Sequence, residues 1–259
     1  MDALLALRHN GHCGKVYMVA RRGLLPQTHV LPVYGCVRQA PCADLGGLLR
    51  YMRVAASRAA ALPAGWREVV DSMRPETNRI WQGLSVAEQF RFLRRVRPFW
   101  DTHRHRMAPQ IGTVVQHSLS DGSLEVLAGR TRGFHLVEDG VEVTIALRRR
   151  PESKMLKAAR VVNCTGPDTN LSRTANPILC NIVEQGWLQP DPHRLGALVD
   201  DQGGLLAARD GWRPPLFALG PLRMGPLSES IAIPEIRVQA QRLADRLMPG
   251  AVAVPGGSL

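Results

Sequence analysis

The 259-residue chain is short of several things, and each shortage removes a class of function. Aromatic residues make up only 5% of it, so aliphatic side chains and alanine must build most of the core. The five cysteines, Cys13, Cys36, Cys42, Cys164 and Cys180, form no CxxC pair, and their number is odd. With no signal sequence at the N-terminus, this pattern suggests reduced thiols and a cytoplasmic location. His103 and His105 stand two apart with His117 beyond, but no cysteine or carboxylate cluster completes a metal site around them. No apolar run is long enough to span a bilayer, so no membrane partner is expected. No nucleophile elbow surrounds Ser228 or Ser230. No G-x-G-x-x-G occurs anywhere, so the chain lacks the loop whose backbone N–H groups cradle a pyrophosphate.

What is present is a basic α/β chain. Hydrophobic residues make up 45%, enough for a buried core and one or two domains, and 33 basic residues against 22 acidic ones give a net charge of +11. Such a balance attracts anions. The densest basic clusters, Arg91–Arg97 and His103–Arg106, do not alternate with stacking aromatics, and Arg148–Arg150 is short, so nucleic acid is a disfavoured partner.

The patterning predicts a helix from Asp2 to about His9, a Gly11/Gly14 turn, and a strand in KVYMVARRGLLP (Lys15–Pro26) that ends in two arginines. From Asp44 to about Gln116 the period is helical. Leu45, Leu48, Leu49 and Met52 mark one face. Ser85 with Glu88 three residues on is a capping-box signature, and Pro98 should end or kink the helix it opens. A further helix is expected over Met107–Val115. After Gly122 the period changes, and LEVLAGR, GFHLVE and VEVTIALRR read as three short strands with a hairpin turn at Glu138-Asp139-Gly140. ARVVNC (Ala159–Cys164) reads as a buried strand running into Thr165-Gly166-Pro167. A helix follows near Pro177–Gln185, then an apolar strand LFALG at 216–220. The last helix starts at Pro234, where the missing N–H has no intrahelical partner. Residues 249–259 read as a disordered Gly/Pro tail.

Three segments carry chemical meaning. In a dinucleotide fold the tip of the second strand meets the adenosine ribose, where arginine suits the 2′-phosphate of NADP; here that tip carries Arg21 and Arg22. The segment VVNCTGP ends in Thr165 and Gly166, small enough for backbone to approach a ligand closely. The run from Leu216 to Ala244 delivers Gly220 and Gly225 on a loop before a helix, and so aims N–H groups and a positive helix end at one point. His12, His29, His103 and His105 are acid–base candidates by residue type alone, and the sequence singles out no catalytic residue.

Together these segments resemble the bacterial FAD/NAD(P)-binding oxidoreductase family, the two-dinucleotide flavoproteins. The resemblance lies in Gly11-His12-Cys13-Gly14, Arg21-Arg22-Gly23-Leu24-Leu25-Pro26 and His29, the HRHRMAP segment (His103–Pro109), Asn163–Pro167, and Glu229 with AIPEIRVQA (Ala232–Ala240). It covers Met1 to about Met248. It implies an α/β, partial Rossmann-like two-dinucleotide flavoprotein fold with a helical insert and a β-hairpin region. Residues 1–43 would be the C-terminal part of an NADP-type unit and 44–120 a substrate-side helical insert, rich in arginine and histidine. Residues 121–158 would form a β-rich return segment, and 159–248 the C-terminal part of the FAD-binding domain.

The implied cofactors are FAD and NADP. The implied cofactor-binding residues are Arg21, Arg22, Thr165, Gly166, Gly220, Pro221, Ser230, Ile231, Ala232 and Ile233. Many relatives carry an acidic residue after the loop glycine for the ribityl hydroxyls, and Pro221 stands there instead. The absent glycine-rich loops lead to the expectation of an N-terminally truncated member of the family that does not hold FAD tightly by itself. Such a chain is either part of an oxidoreductase passing hydride from NADPH to FAD and on to a substrate or oxygen, or a non-catalytic remnant that partners a separate N-terminal flavin-domain chain.

Overall fold

A computed structural model describes residues 1–30, 44–209 and 211–248. Cys36, Cys42 and the expected tail at 249–259 lie outside the described residues. The chain is mixed α/β and divides into two compact units. Unit 1 contains residues 1–30, 46–74 and 91–166; unit 2 contains 44–45, 75–90 and 167–248. The expected helical stretch thus contributes to both.

In unit 1, α1 (Asp2–His9) carries Asp2 in its first turn and Arg8 and His9 in its last, each sign at the helix end that favours it. Arg8 closes the following turn by donating to the carbonyls of His12 (2.6 Å) and Gly14 (3.1 Å). The chain then enters β1 (Val16–Ala20), as the sequence indicated. β1 pairs in parallel with β2 (Leu124–Val137), in register from Val16↔Leu124 to Ala20↔Ala128. β2 continues into an antiparallel meander with β3 (Gly140–Leu147) and β4 (Ser153–Ala158), in the order β1-β2-β3-β4.

The period of two sorts the strand side chains onto two faces. On one face, Val16, Met18, Leu124 and Val126 pack with Leu4 of α1 and with Ile111, Val115 and Leu119 of α7 (Pro109–Ser120). On the other, Tyr17 and Leu127 pack with Val143, Ile145, Leu147 and Leu156 of the meander. The sheet curls to make this second core: Lys154 of β4 reaches Glu125 of β2 and lies 5.6 Å from the centroid of the Tyr17 ring on β1. Gly129 sits where β2 passes from one partner to the other, and a Cβ there would come within 2.7 Å of the Ala146 carbonyl oxygen. Lys15 and Lys154 both bond Glu125, and these hydrogen bonds, that of Lys154 foremost, hold its carboxyl below the ordinary range.

The helices α2 (Leu45–Arg58), α3 (Trp66–Ser72), α4 (Thr77–Gly83), α5 (Val86–Arg91) and α6 (Arg97–Arg104) fill the stretch between β1 and α7. The capping box forms as expected: Ser85 Oγ accepts from the Glu88 N–H (3.3 Å), and Glu88 Oε2 accepts from the Ser85 N–H (3.1 Å). Pro98 interrupts the helix as expected, through a π-type turn, Phe92–Val96, that precedes α6. Pro98 offers no N–H to the carbonyl four residues back, that of Arg94. That carbonyl accepts from Arg22 at 3.2 Å.

Unit 2 holds α4, most of α5, α8 (Pro177–Glu184) and α9 (Ile233–Leu247) around a coil joined by the isolated bridges Pro190↔Ala197, Val199↔Leu205 and Gly204↔Phe217. Its core is Leu171, Leu188, Ala197, Val199, Leu205 and Ala218.

The structure corrects four expectations. LEVLAGR and GFHLVE are one strand, because a bulge at Thr131–Gly133 absorbs the irregularity without breaking the ladder. β4 lies at 153–158, where no strand was expected. ARVVNC is not a strand: the ladder ends at Val141↔Ala158, beyond which β3 has turned into its hairpin and offers no partner row, and residues 160–164 are exposed. LFALG is not a strand either; only Phe217 bridges, to Gly204, because the turn from Asp200 to Gly203 gives the segment no longer partner.

Candidate functional site

In unit 2 a loop, Gly220–Ser230, is fixed from several sides by side chains bonding its backbone. Gly220 has φ +63°, the left-handed region that glycine enters without strain. Its N–H donates to Oε1 of the buried Gln239 of α9 at 2.9 Å. A short 3-10 turn, Gly220–Arg223, follows. The indole N–H of Trp81 on α4 donates to the Gly225 carbonyl at 2.8 Å. Asn78, one turn earlier on α4, brackets Glu229: its Nδ2 donates to the Glu229 carbonyl (3.2 Å) and its Oδ1 accepts the Glu229 N–H (3.0 Å). Its amide therefore does what a neighbouring β-strand would do.

Behind Gly225 lies Asp191, close enough that no side chain would fit between them. The buried Asp191 carboxylate accepts the N–H groups of His193 (2.8 Å), Leu195 (2.6 Å) and Gly196 (2.6 Å). That turn presents His193, whose Nε2 bonds Gln89 Oε1 at 2.7 Å. Its ring packs edge-on to Phe90 (centroids 4.5 Å apart) and tilted against Trp81 (5.5 Å). Nε2–H donates to the amide oxygen, which leaves Nδ1 as a buried acceptor with no partner among the described residues. Burial pushes His193 below the usual imidazole value, against the opposing pull of Asp191.

The loop leads into α9. Ser230 is 1% exposed and its Oγ finds no partner among the described residues. Ala232 is the N-cap and has no side-chain oxygen to offer the first-turn N–H groups. Ile231 and Ile233 flank it, exposed, with Ile233 at 82%. Gly220 folds back on this point: a Cβ at Gly220 would lie 3.8 Å from the Ser230 carbonyl oxygen. Glu235 stands in the first turn, which sets this helix end against a multiply charged anion and toward carbonyl oxygens or another weakly charged acceptor.

Of the residues expected to bind cofactor, unit 2 thus gathers Gly220, Pro221, Ser230, Ile231, Ala232 and Ile233 around one helix start. The others belong to unit 1. Arg22 is occupied: it donates to the Arg94 carbonyl and lies 5.0 Å from the Phe99 ring centroid. Arg21 is exposed at the β1 tip. Thr165 is held by Asn163, whose Oδ1 accepts its N–H (3.1 Å) and hydroxyl (2.8 Å), and Gly166 has φ +78° in an exposed turn. Among the histidines, His12 and His105 are exposed and His103 Nδ1 bonds the Phe99 carbonyl at 2.7 Å.

Asn78, Trp81, Gln89, Asp191, His193 and Gln239 escaped the sequence reading. They act through side-chain hydrogen bonds to backbone or to another side chain, which leave no periodic trace. Only Asp191-Pro192, a turn-initiating pair, carried a local signal. Among the described residues no group of three or more His, Cys, Asp or Glu side chains could hold a metal ion, and no helix is long and apolar enough to cross a membrane. No family model, curated protein or solved structure matches the chain.

Proposed function

We propose that the chain carries the flavin-facing closing segment of a FAD- and NAD(P)-dependent oxidoreductase with a Rossmann-like two-dinucleotide fold, in which hydride passes from NADPH to FAD and on to a substrate or to oxygen. The observation that carries this reading is the start of α9: an N-cap without a side-chain oxygen, a buried Ser230 hydroxyl without a partner among the described residues, and Gly220 close to the Ser230 carbonyl. The Ser230 O–H beside a positive helix end suits the carbonyl-rich edge of an isoalloxazine ring, and exposed Ile231 and Ile233 suit its apolar face. A bound flavin supplies the redox chemistry. The residues of this chain orient it: Gln239 fixes Gly220, while Trp81 and Asn78 fix the loop between them. The mixed sheet, with its parallel β1/β2 pair behind α1, fits the same reading. At the β1 tip, exposed Arg21 is the guanidinium open to a 2′-phosphate, since Arg22 is bonded within its own unit.

Titrating FAD into the purified chain and following isoalloxazine fluorescence tests the proposal. Saturable quenching is expected, with no rapid NADPH oxidation by the chain alone, because no glycine-rich loop holds the pyrophosphate. Fluorescence unchanged at every concentration would overturn the flavin reading. A second reading, a binding partner for a separate flavin-domain chain with no chemistry of its own, is favoured by Val161 and Val162, which are exposed and outside any strand. Protein that is colourless and indifferent to both FAD and NADPH would select it.

A further inference from the structure

Unit 1 contains a second cluster that the flavin reading does not use. Arg106 carries a guanidinium in a side chain only 6% exposed. Its Nη2 bonds Asp71 Oδ1, while its Nη1 is buried and has no partner among the described residues. Arg67, from α3, donates Nε to the Thr28 carbonyl at 3.0 Å. Both arginines lie against the indole of Trp66, with Cζ atoms 4.5 Å (Arg67) and 6.0 Å (Arg106) from its centroid, and His103 meets the same ring edge-on at 4.7 Å. The Gln27–His29 backbone pairs with Met107 through two hydrogen bonds, which brings His29 to the segment that carries Arg106. Nδ1 of His29 is likewise buried and has no partner among the described residues.

The charges do not balance. Among the described residues Asp71 is the one carboxylate bonded to either guanidinium, and it bonds Arg106, while Arg67 donates to a neutral carbonyl. Burial, together with the neighbouring Arg106, pushes the Arg67 guanidinium below its ordinary value. Desolvated like charges repel, and a guanidinium N–H left buried without an acceptor is destabilising. A guanidinium presents a planar fork matched to carboxylate and phosphate oxygens. An added oxyanion would satisfy Arg106 Nη1 and neutralise the excess charge at once.

We propose that Arg106 and Arg67, backed by Trp66 and bordered by His29, bind an oxyanion group, a carboxylate or a phosphate, of a small organic ligand. The site stands apart from the flavin reading and survives its failure. The test uses the full chain, with tryptophan fluorescence and calorimetry read at constant ionic strength while sodium phosphate, sodium acetate or sodium chloride is added. Saturation by phosphate or acetate but not by chloride is expected, and whichever acts at lower concentration identifies the ligand group. Arg67→Gln should weaken the binding by roughly tenfold or more, the loss of one charge-assisted hydrogen bond. Asp71→Asn, which frees the Arg106 fork, should strengthen it. Trp66→Phe should remove the optical response while calorimetric heat remains. A response equal for chloride, no saturation by either oxyanion, or saturation indifferent to Arg67→Gln would overturn the site. Should circular dichroism show Arg67→Gln to be unfolded, Asp71→Asn decides, and unchanged or weaker binding in that variant overturns it.

Discussion

The two units are held together by different means. Unit 1 rests on ladders: β1 to β4 pair in register, and alternate side chains build one core on each face of the sheet. Unit 2 contains no ladder longer than an isolated bridge among its described residues. Its loops are pinned instead by side chains that bond backbone, chiefly Asp191, Asp200, Asn78, Trp81 and Gln239. A ladder distributes its stability over many equivalent bonds. A pinned loop concentrates it in a few side chains, and the same few residues then shape the candidate site. Stability and function should therefore be coupled residue by residue in unit 2 and only loosely coupled in unit 1.

Trp81→Ala is the harshest way to probe this. It removes a 4% exposed ring and the bond to Gly225, and should cost about 3–5 kcal/mol, read as lost amide protection across residues 191–230. Ile145→Ala, at a fully buried position of the meander, should cost about 2–5 kcal/mol, read from the denaturant midpoint, and leave β3 paired. If the loop amides keep their protection in Trp81→Ala, the contrast between the units fails. Asn78→Leu should cost about 1–3 kcal/mol by leaving the Glu229 N–H and carbonyl without their partner, and it should loosen the 225–230 loop selectively in hydrogen exchange.

The smallest effect is a pH dependence. The folded-state value of His193 is below its ordinary 6.5, so between the two values the unfolded chain holds the extra proton. Its contribution to stability is therefore present above 6.5 and is lost as pH falls toward the folded value. Denaturant midpoints measured from about pH 7.5 to about pH 5.5 should fall more for the wild type than for His193→Asn, which cannot titrate.

The same contrast explains what the sequence made legible. α1, β1, the Ser85–Glu88 box, the Glu138–Gly140 turn, α7, α8 and α9 are local: each is written in a period, a cap or a turn within a few residues of itself. β4 was missed because SKMLKA alternates with lysines and carries no β-branched residue; pairing with β3 makes it a strand. ARVVNC was misread for the opposite reason. Its composition suits a strand, but the ladder ends at Ala158. At the candidate site, Gly220 and the α9 start were legible as strand–glycine–helix order, whereas Asn78 and Asp191 reach the loop from over 30 residues away, a distance no local pattern records.

The proposal that the positive start of α9 faces a carbonyl-rich ring is tested most directly by Ala232→Asp. An aspartate at the N-cap sets a carboxylate at the positive end of α9 and should raise stability by about 0.3–1 kcal/mol. It should also fill the place of the ligand. The account predicts a higher thermal midpoint together with loss of isoalloxazine quenching when FAD is added. A variant that is more stable yet quenches FAD as the wild type does would contradict it.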